Sequence, residues 1–397
     1  MRSATFRQPR RSRPARWRHP SLLALLTLIS AVALWTWWAE DHPQEERELR
    51  VVVHDQLLAW FPDAMTPNND GWHGLALRIA APASKKPRIV LVHGLDEPGS
   101  IWHDLIPVLD TAGFEVWEFR YPNDQGIDRS VAYLAEHWPT LPADRPAIFV
   151  GHSMGGLVIR DFVSRWRHPV AGSAQVAGAP ILGAVLIGTP NQGSEWARLR
   201  IWLELRDQLL EERDRRFSLF AALRDGTGEA KIDLRPGSDY LTALNAVPWP
   251  TTIPIQLIGG VLLEPPLAMT QSVAEMSQSA PTLELREKFA TWWSGIGEGL
   301  GDGVVTLASL SLPNTPPPLV MQASHRGMLL RLLPNDPEPP AIRPLLQTLE
   351  GWSGGGESGA VDVAAQSGPA LSDAPRLPDQ TAEPVGSNPI RPSVIAN

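Results

Sequence analysis

The stretch Pro146-Ala147-Ile148-Phe149-Val150-Gly151-His152-Ser153-Met154-Gly155-Gly156-Leu157-Val158-Ile159 decides how the chain folds. Residues 146–150 form a short apolar run of the kind that makes a buried strand, and residues 157–163 carry the apolar spacing of a helix face. Between them stands Gly-x-Ser-x-Gly, in the order strand, turn, helix. In that context the serine takes a strained backbone conformation that lifts its hydroxyl out of the sheet, while Gly151 and Gly155 let strand and helix approach closely. Ser153 is therefore the candidate nucleophile. A glycine-rich turn with an incidental serine is the plainer reading, and it leaves the flanks unexplained.

Working outward, further apolar runs alternate with helical patterns. Residues 87–94 read as a strand buried on both faces and ending at His93-Gly94. Residues 101–112 read as a helix stopped by Gly113, 114–119 as a strand, and 129–138 as a second helix. Downstream, 181–190, 253–260 and 319–323 read as strands, and 341–352 as a closing helix. This alternation predicts an α/β fold with a mostly parallel central sheet and helices on both faces. Two early strands are expected at 49–54 and 72–79, separated by a turn at 66–71. Between 196 and 225 apolar residues recur at helical spacing among charges. That insertion reads equally as a packed helical excursion or as a lid over the serine.

The ends of the chain differ from its middle. Seven arginines fall within the first 18 residues, so the net charge of −8 understates how acidic the rest is. An acidic body is a poor partner for nucleic acid, which needs clustered Lys and Arg. With no cysteine in 397 residues, a thiol nucleophile, a cysteine zinc site and disulfides are excluded. Residues 21–39 are uncharged and close to the roughly 20 apolar residues that span a bilayer. Basic residues 1–20 precede this stretch and acidic ones follow, so a transmembrane signal anchor is expected, with a cytoplasmic N-terminus and a periplasmic or extracellular body. The alternative is a signal peptide cleaved near Ala33. Residues 40–50 read as a linker, 51–352 as the folded domain, and 353–397 as a disordered Gly/Ser/Pro/Ala-rich tail.

A serine needs a base, and the base needs a group to fix its tautomer. Among ten histidines, His19 and His42 flank the apolar segment, His54 and His73 fall on the expected early strands, and His103, His137 and His168 on helical patterns. His93 and His152 sit on backbone too confined to turn towards Ser153. His325 follows the last strand in a short polar turn, where open α/β sheets place their sites. For the acid, Asp302 stands between two glycines and precedes His325 in the order Ser, Asp, His. Glu195 is the reserve and Glu298 a more distant one. The negative oxygen of a tetrahedral intermediate needs preorganised N–H donors. The backbone N–H groups of Met154 and Leu95 are expected to supply them.

These residues resemble the α/β-hydrolase superfamily, and within it the bacterial lipases and the inositol deacylases that act on GPI anchors. The resemblance spans about residues 85 to 350. It rests on His93-Gly94, the elbow 151–156, Gly188-Thr189-Pro190-Asn191-Gln192-Gly193-Ser194, Asp233-Leu234-Arg235-Pro236-Gly237-Ser238, Asp302-Gly303-Val304-Val305 and His325. It implies an α/β-hydrolase fold, a nucleophilic Ser153, an orienting Asp302, a general base in His325 and a carboxylic ester of a lipid as substrate, without a cofactor; the expected membrane anchor departs from a secreted lipase and points to envelope lipids or acylated molecules instead of bulk extracellular fat. Calcium-binding secreted lipases carry an aspartate two residues past the catalytic histidine; here that position is Gly327, so no metal is expected. An acyltransferase with the same triad and a non-catalytic envelope scaffold are the rival readings.

Overall fold

A computed structural model describes residues 18–62, 73–95, 99–195, 228–262, 299–332 and 336–354. The expected turn at 66–71, the insertion 196–225, Glu298 and nearly all of the tail lie outside the described residues.

Strands β1 (Gly74–Ile79), β2 (Arg88–Val92), β3 (Val116–Arg120), β4 (Ala147–His152), β5 (Ile181–Ile187), β6 (Ile255–Val261) and β7 (Leu319–Gln322) form one seven-stranded sheet among the described residues. Their order is β1-β3-β2-β4-β5-β6-β7. Only the β1–β3 pair is antiparallel; every other neighbour is parallel, as crossover connections require. The strand leading into Ser153 thus lies at the centre of the sheet, between β2 and β5.

Alternation along the central strands explains why they read as unbroken apolar runs. Val90, Val92 and Phe149 pack on one face, with Ile127, Val131 and Leu134 of the helix α4 (Ile127–His137) and Leu157 and Val158 of α5 (Met154–Asp161). Ile89, Leu91, Ile148 and Val150 pack on the other, with Leu109 of α3 (Ile106–Thr111) and Leu345 and Leu349 of α6 (Ile342–Gly354). Both faces are covered, so neither carries a polar row. Gly113 closes α3 with φ 74°, a conformation that favours glycine.

The N-terminal expectations need correction. Residues 49–54 are not a strand: they lie inside the helix α2 (Pro43–Trp60), which follows α1 (Arg18–Asp41) after a single residue, His42. His54 is accordingly helical. Residues 40–50 are not an open linker, and a domain boundary at 51 falls in mid-helix. The β-branched run Val51-Val52-Val53 favours a strand locally. Pro43 in the first turn, Glu45 and Glu46 beside it, and an Arg50–Glu46 ion pair one turn apart favour the helix, and tertiary contacts decide. Glu46 is fully buried and also pairs with Arg235 at 3.3 Å. Arg47 donates through Nε to Asp233 at 2.7 Å and through Nη2 to Asp128 at 2.6 Å. Among the described residues no helix is long and apolar enough to cross a membrane.

Candidate active site

Ser153 stands between β4 and α5 with φ 54° and ψ −128°. Among the described residues it and Asn314 alone combine a side chain with positive φ. Such strain persists only where the surroundings enforce it, and it clusters at functional sites. Here the enforcement is visible: the Ser153 N–H donates to Ile187 O at 2.8 Å, tying the turn to the end of β5. A β-carbon on Gly155 would run into the carbonyl oxygens of Val92 and His93, so only glycine lets α5 begin this close to β2.

Asp302 and His325 meet. His325 Nδ1 donates to Asp302 Oδ2 at 2.8 Å, which fixes the tautomer and leaves Nε2 with a lone pair. The other carboxylate oxygen accepts the N–H groups of Val304 at 2.9 Å and Val305 at 2.8 Å. The main chains are joined as well: His325 N–H donates to Asp302 O at 2.9 Å, and Leu262 N–H, just past β6, to Gly301 O at 2.8 Å. Asp302 is thereby held at the carboxyl end of β6, and His325 at that of β7. A β-carbon on Gly188, just past β5, would lie 3.1 Å from His325 Cε1 and Nδ1, so the ring rests on the same β5 end that holds Ser153. Glu195, the reserve acid, is exposed, and the Nδ1 position it would have to meet is taken by Asp302.

The expected oxyanion donors flank the serine. Met154 is the first residue of α5, where helix geometry leaves its N–H without an intrahelical acceptor. Leu95 lies in the turn after β2, and a β-carbon on the preceding Gly94 would be 2.7 Å from Ser153 Cβ. His93 shapes that turn. Its Nδ1 donates to Gly94 O at 2.9 Å, its ring stacks on Tyr121 at 4.6 Å, and the Tyr121 hydroxyl donates to His93 O at 2.7 Å. Burial pushes His93 down to about 4, so the ring is neutral.

A second set of residues, unassigned from sequence, braces the acid loop. Arg160 of α5 donates to Asn191 Oδ1 at 3.2 Å and to Asn245 Oδ1 at 2.9 Å; Asn191 Nδ2 donates to Leu310 O at 2.6 Å. Ser194 Oγ donates to Val304 O at 2.6 Å, beside Asp302. The segment 188–194 therefore connects the helix behind the nucleophile to the loop bearing the carboxylate. Its legible signal is Arg160 itself, a charge on an otherwise apolar helix face.

Residues 89–378 match the alpha/beta hydrolase family. The chain belongs to that family. Solved structures similar to this α/β hydrolase include a lipase from Bacillus licheniformis in mature form, at 16% identity and TM-score 0.44, covering 71% of this chain and 99% of that one. A metagenomic carboxyl esterase matches at 17% and 0.44, covering 77% and 90%. Lipase 1 from Pelosinus fermentans matches at 16% and 0.44, covering 68% and 99%. No match is found among curated proteins.

Proposed function

We propose that the chain is a serine ester hydrolase that works through an acyl-enzyme on Ser153. The observation that carries this reading is the strained Ser153 backbone at the β4–α5 junction, a kind of strain that clusters at functional sites. In the proposed cycle Ser153 Oγ attacks the ester carbonyl and passes its proton to His325 Nε2. Asp302 holds the ring and stabilises the imidazolium, and the N–H groups of Met154 and Leu95 receive the oxyanion. Collapse breaks the ester C–O bond as His325 returns the proton to the leaving alcohol. Water, activated by the same histidine, then releases the acid.

The proposed substrate class follows from the N-terminal sequence. On the sequence alone, and against the absence of a membrane-crossing helix among the described residues, residues 21–39 would anchor the enzyme in the bacterial inner membrane, with the basic segment cytoplasmic and the body outside, so that the esters within reach are lipids or acylated envelope molecules.

A fluorophosphonate probe applied to washed membranes and to the soluble fraction tests both chemistry and anchoring. The expected result is a labelled protein retained in membranes after alkaline carbonate extraction, with label on Ser153, lost in Ser153→Ala, and turnover rising with acyl length across p-nitrophenyl esters. Label persisting in the alanine variant would put the nucleophile elsewhere. A labelled but freely soluble protein would remove the anchor and keep the enzyme.

A further inference from the structure

His152, the residue before Ser153, is 1% exposed and its Nε2 lies 3.1 Å from the main-chain oxygen of His325. A carbonyl only accepts, so Nε2 must carry the proton. Nδ1 is then the unprotonated nitrogen, buried and without a hydrogen-bond partner. That leaves one neutral tautomer, since an imidazolium would strand a second buried N–H. Burial, together with the nearby His325, Arg326 and His93, holds the group well below its usual range. The two imidazoles lie 4.7 Å apart, close enough that a charged His152 would oppose the imidazolium that forms on His325.

We propose that His152 is a positioning residue for His325, donating from Nε2 to its carbonyl so that the strand bearing the nucleophile also locates the base. This rests on the assignment of Ser153 and His325 made above. The His325 main chain is held on both sides of its Cα: Asp302 O accepts from its N–H at 2.9 Å, and His152 donates to its C=O. Asp302 fixes the ring. Removing the His152 bond frees the side towards Arg326, next to a reaction in which displacement by about 1 Å costs up to about 10²-fold. Because His152 and Ser153 are adjacent, the spacing of nucleophile and base is set across one peptide unit.

The full chain carrying His152→Phe, His152→Gln or His152→Asn separates positioning from packing. Phe fills the buried volume and removes the donor. Gln brings an amide N–H close to the Nε2 position, whereas the shorter Asn does not. A packing role predicts Phe at or above Gln, since Phe introduces no buried polar group. Positioning predicts the reverse: fluorophosphonate labelling of Ser153 and kcat fall about 10- to 100-fold in Phe and Asn with KM little changed, and Gln recovers most of the loss. Thermal unfolding of each variant identifies any that does not fold, and the Gln–Asn pair decides if Phe fails. Labelling in Phe as fast as in the wild type, or Gln no better than Asn, would overturn the proposal. A wild-type chain whose Ser153 is never labelled would instead sink the hydrolase reading itself.

Discussion

At the residue scale, His93 couples the oxyanion turn to acid stability. Its imidazole is neutral in the fold, with a value near 4, whereas in the unfolded chain it titrates near 6.5. A group depressed in this way contributes stability above the unfolded value, and the contribution is lost as pH falls from about 6.5 to about 4. The loss amounts to about 3 kcal/mol, because each tenfold change in a protonation equilibrium is worth about 1.4 kcal/mol. His93→Asn keeps a donor near the Nδ1 position and abolishes the titration. Denaturant unfolding of this variant between pH 7 and 4 is therefore expected to lose less stability than the wild type; an equal or steeper loss would remove His93 as the source. Ser153, Asp302 and His325 are legible in sequence because each sits in a local signature, two glycines or a short polar turn after a strand. His93 is legible as part of the supporting turn, but its partner Tyr121, 28 residues away, is not, nor is the role of Arg160, which depends on Asn245 85 residues away.

At the scale of elements, the tightest constraint is the crossing of α5 over the end of β2. Gly155→Ala drives a methyl group into two main-chain oxygens that cannot rotate away. Overpacking typically costs about 1–3 kcal/mol, and here α5 must also shift, displacing Ser153 and the Met154 N–H together. The variant is expected to lose both stability and probe labelling, and a variant that labels at the wild-type rate would show that the helix has room to move. The parallel strands are readable because burial on both faces removes every polar residue from β2 and β4 except at their ends. The misreading at 49–54 has the opposite cause. On α2 the two buried residues are Glu46 and His54, with half-buried Arg50 between them at four-residue spacing, whereas the apolar residues Val52, Val53 and Trp60 lie outside. Hydrophobic periodicity points to the wrong face there.

For the whole molecule, the N-terminal helices and the hydrolase body are joined by buried charge. Asp233 is pushed up to about 6 by burial, against the pull of Arg47, and also accepts the Ile127 N–H at 2.8 Å. Arg47→Met leaves that carboxylate with less compensation. Loss of one partner of a buried pair costs about 3–5 kcal/mol, but only while the survivor is charged. The variant is thus expected to be destabilised strongly at pH 8 and much less at pH 5, where Asp233 binds a proton. Equal destabilisation at both values, read by chemical denaturation of the full chain, would exclude the ion pair as the cause.

That junction also sets how the enzyme meets its surroundings. Only His42 separates α1 from α2, Arg235 donates to the carbonyl of Ala39 at 3.2 Å, and Glu46 and Arg47 are bolted to the body on the far side of that residue. A catalytic domain on a loose tether samples every orientation; this one is mounted on a bracket. The turn between the two N-terminal helices is thereby fixed to the same body that carries Ser153.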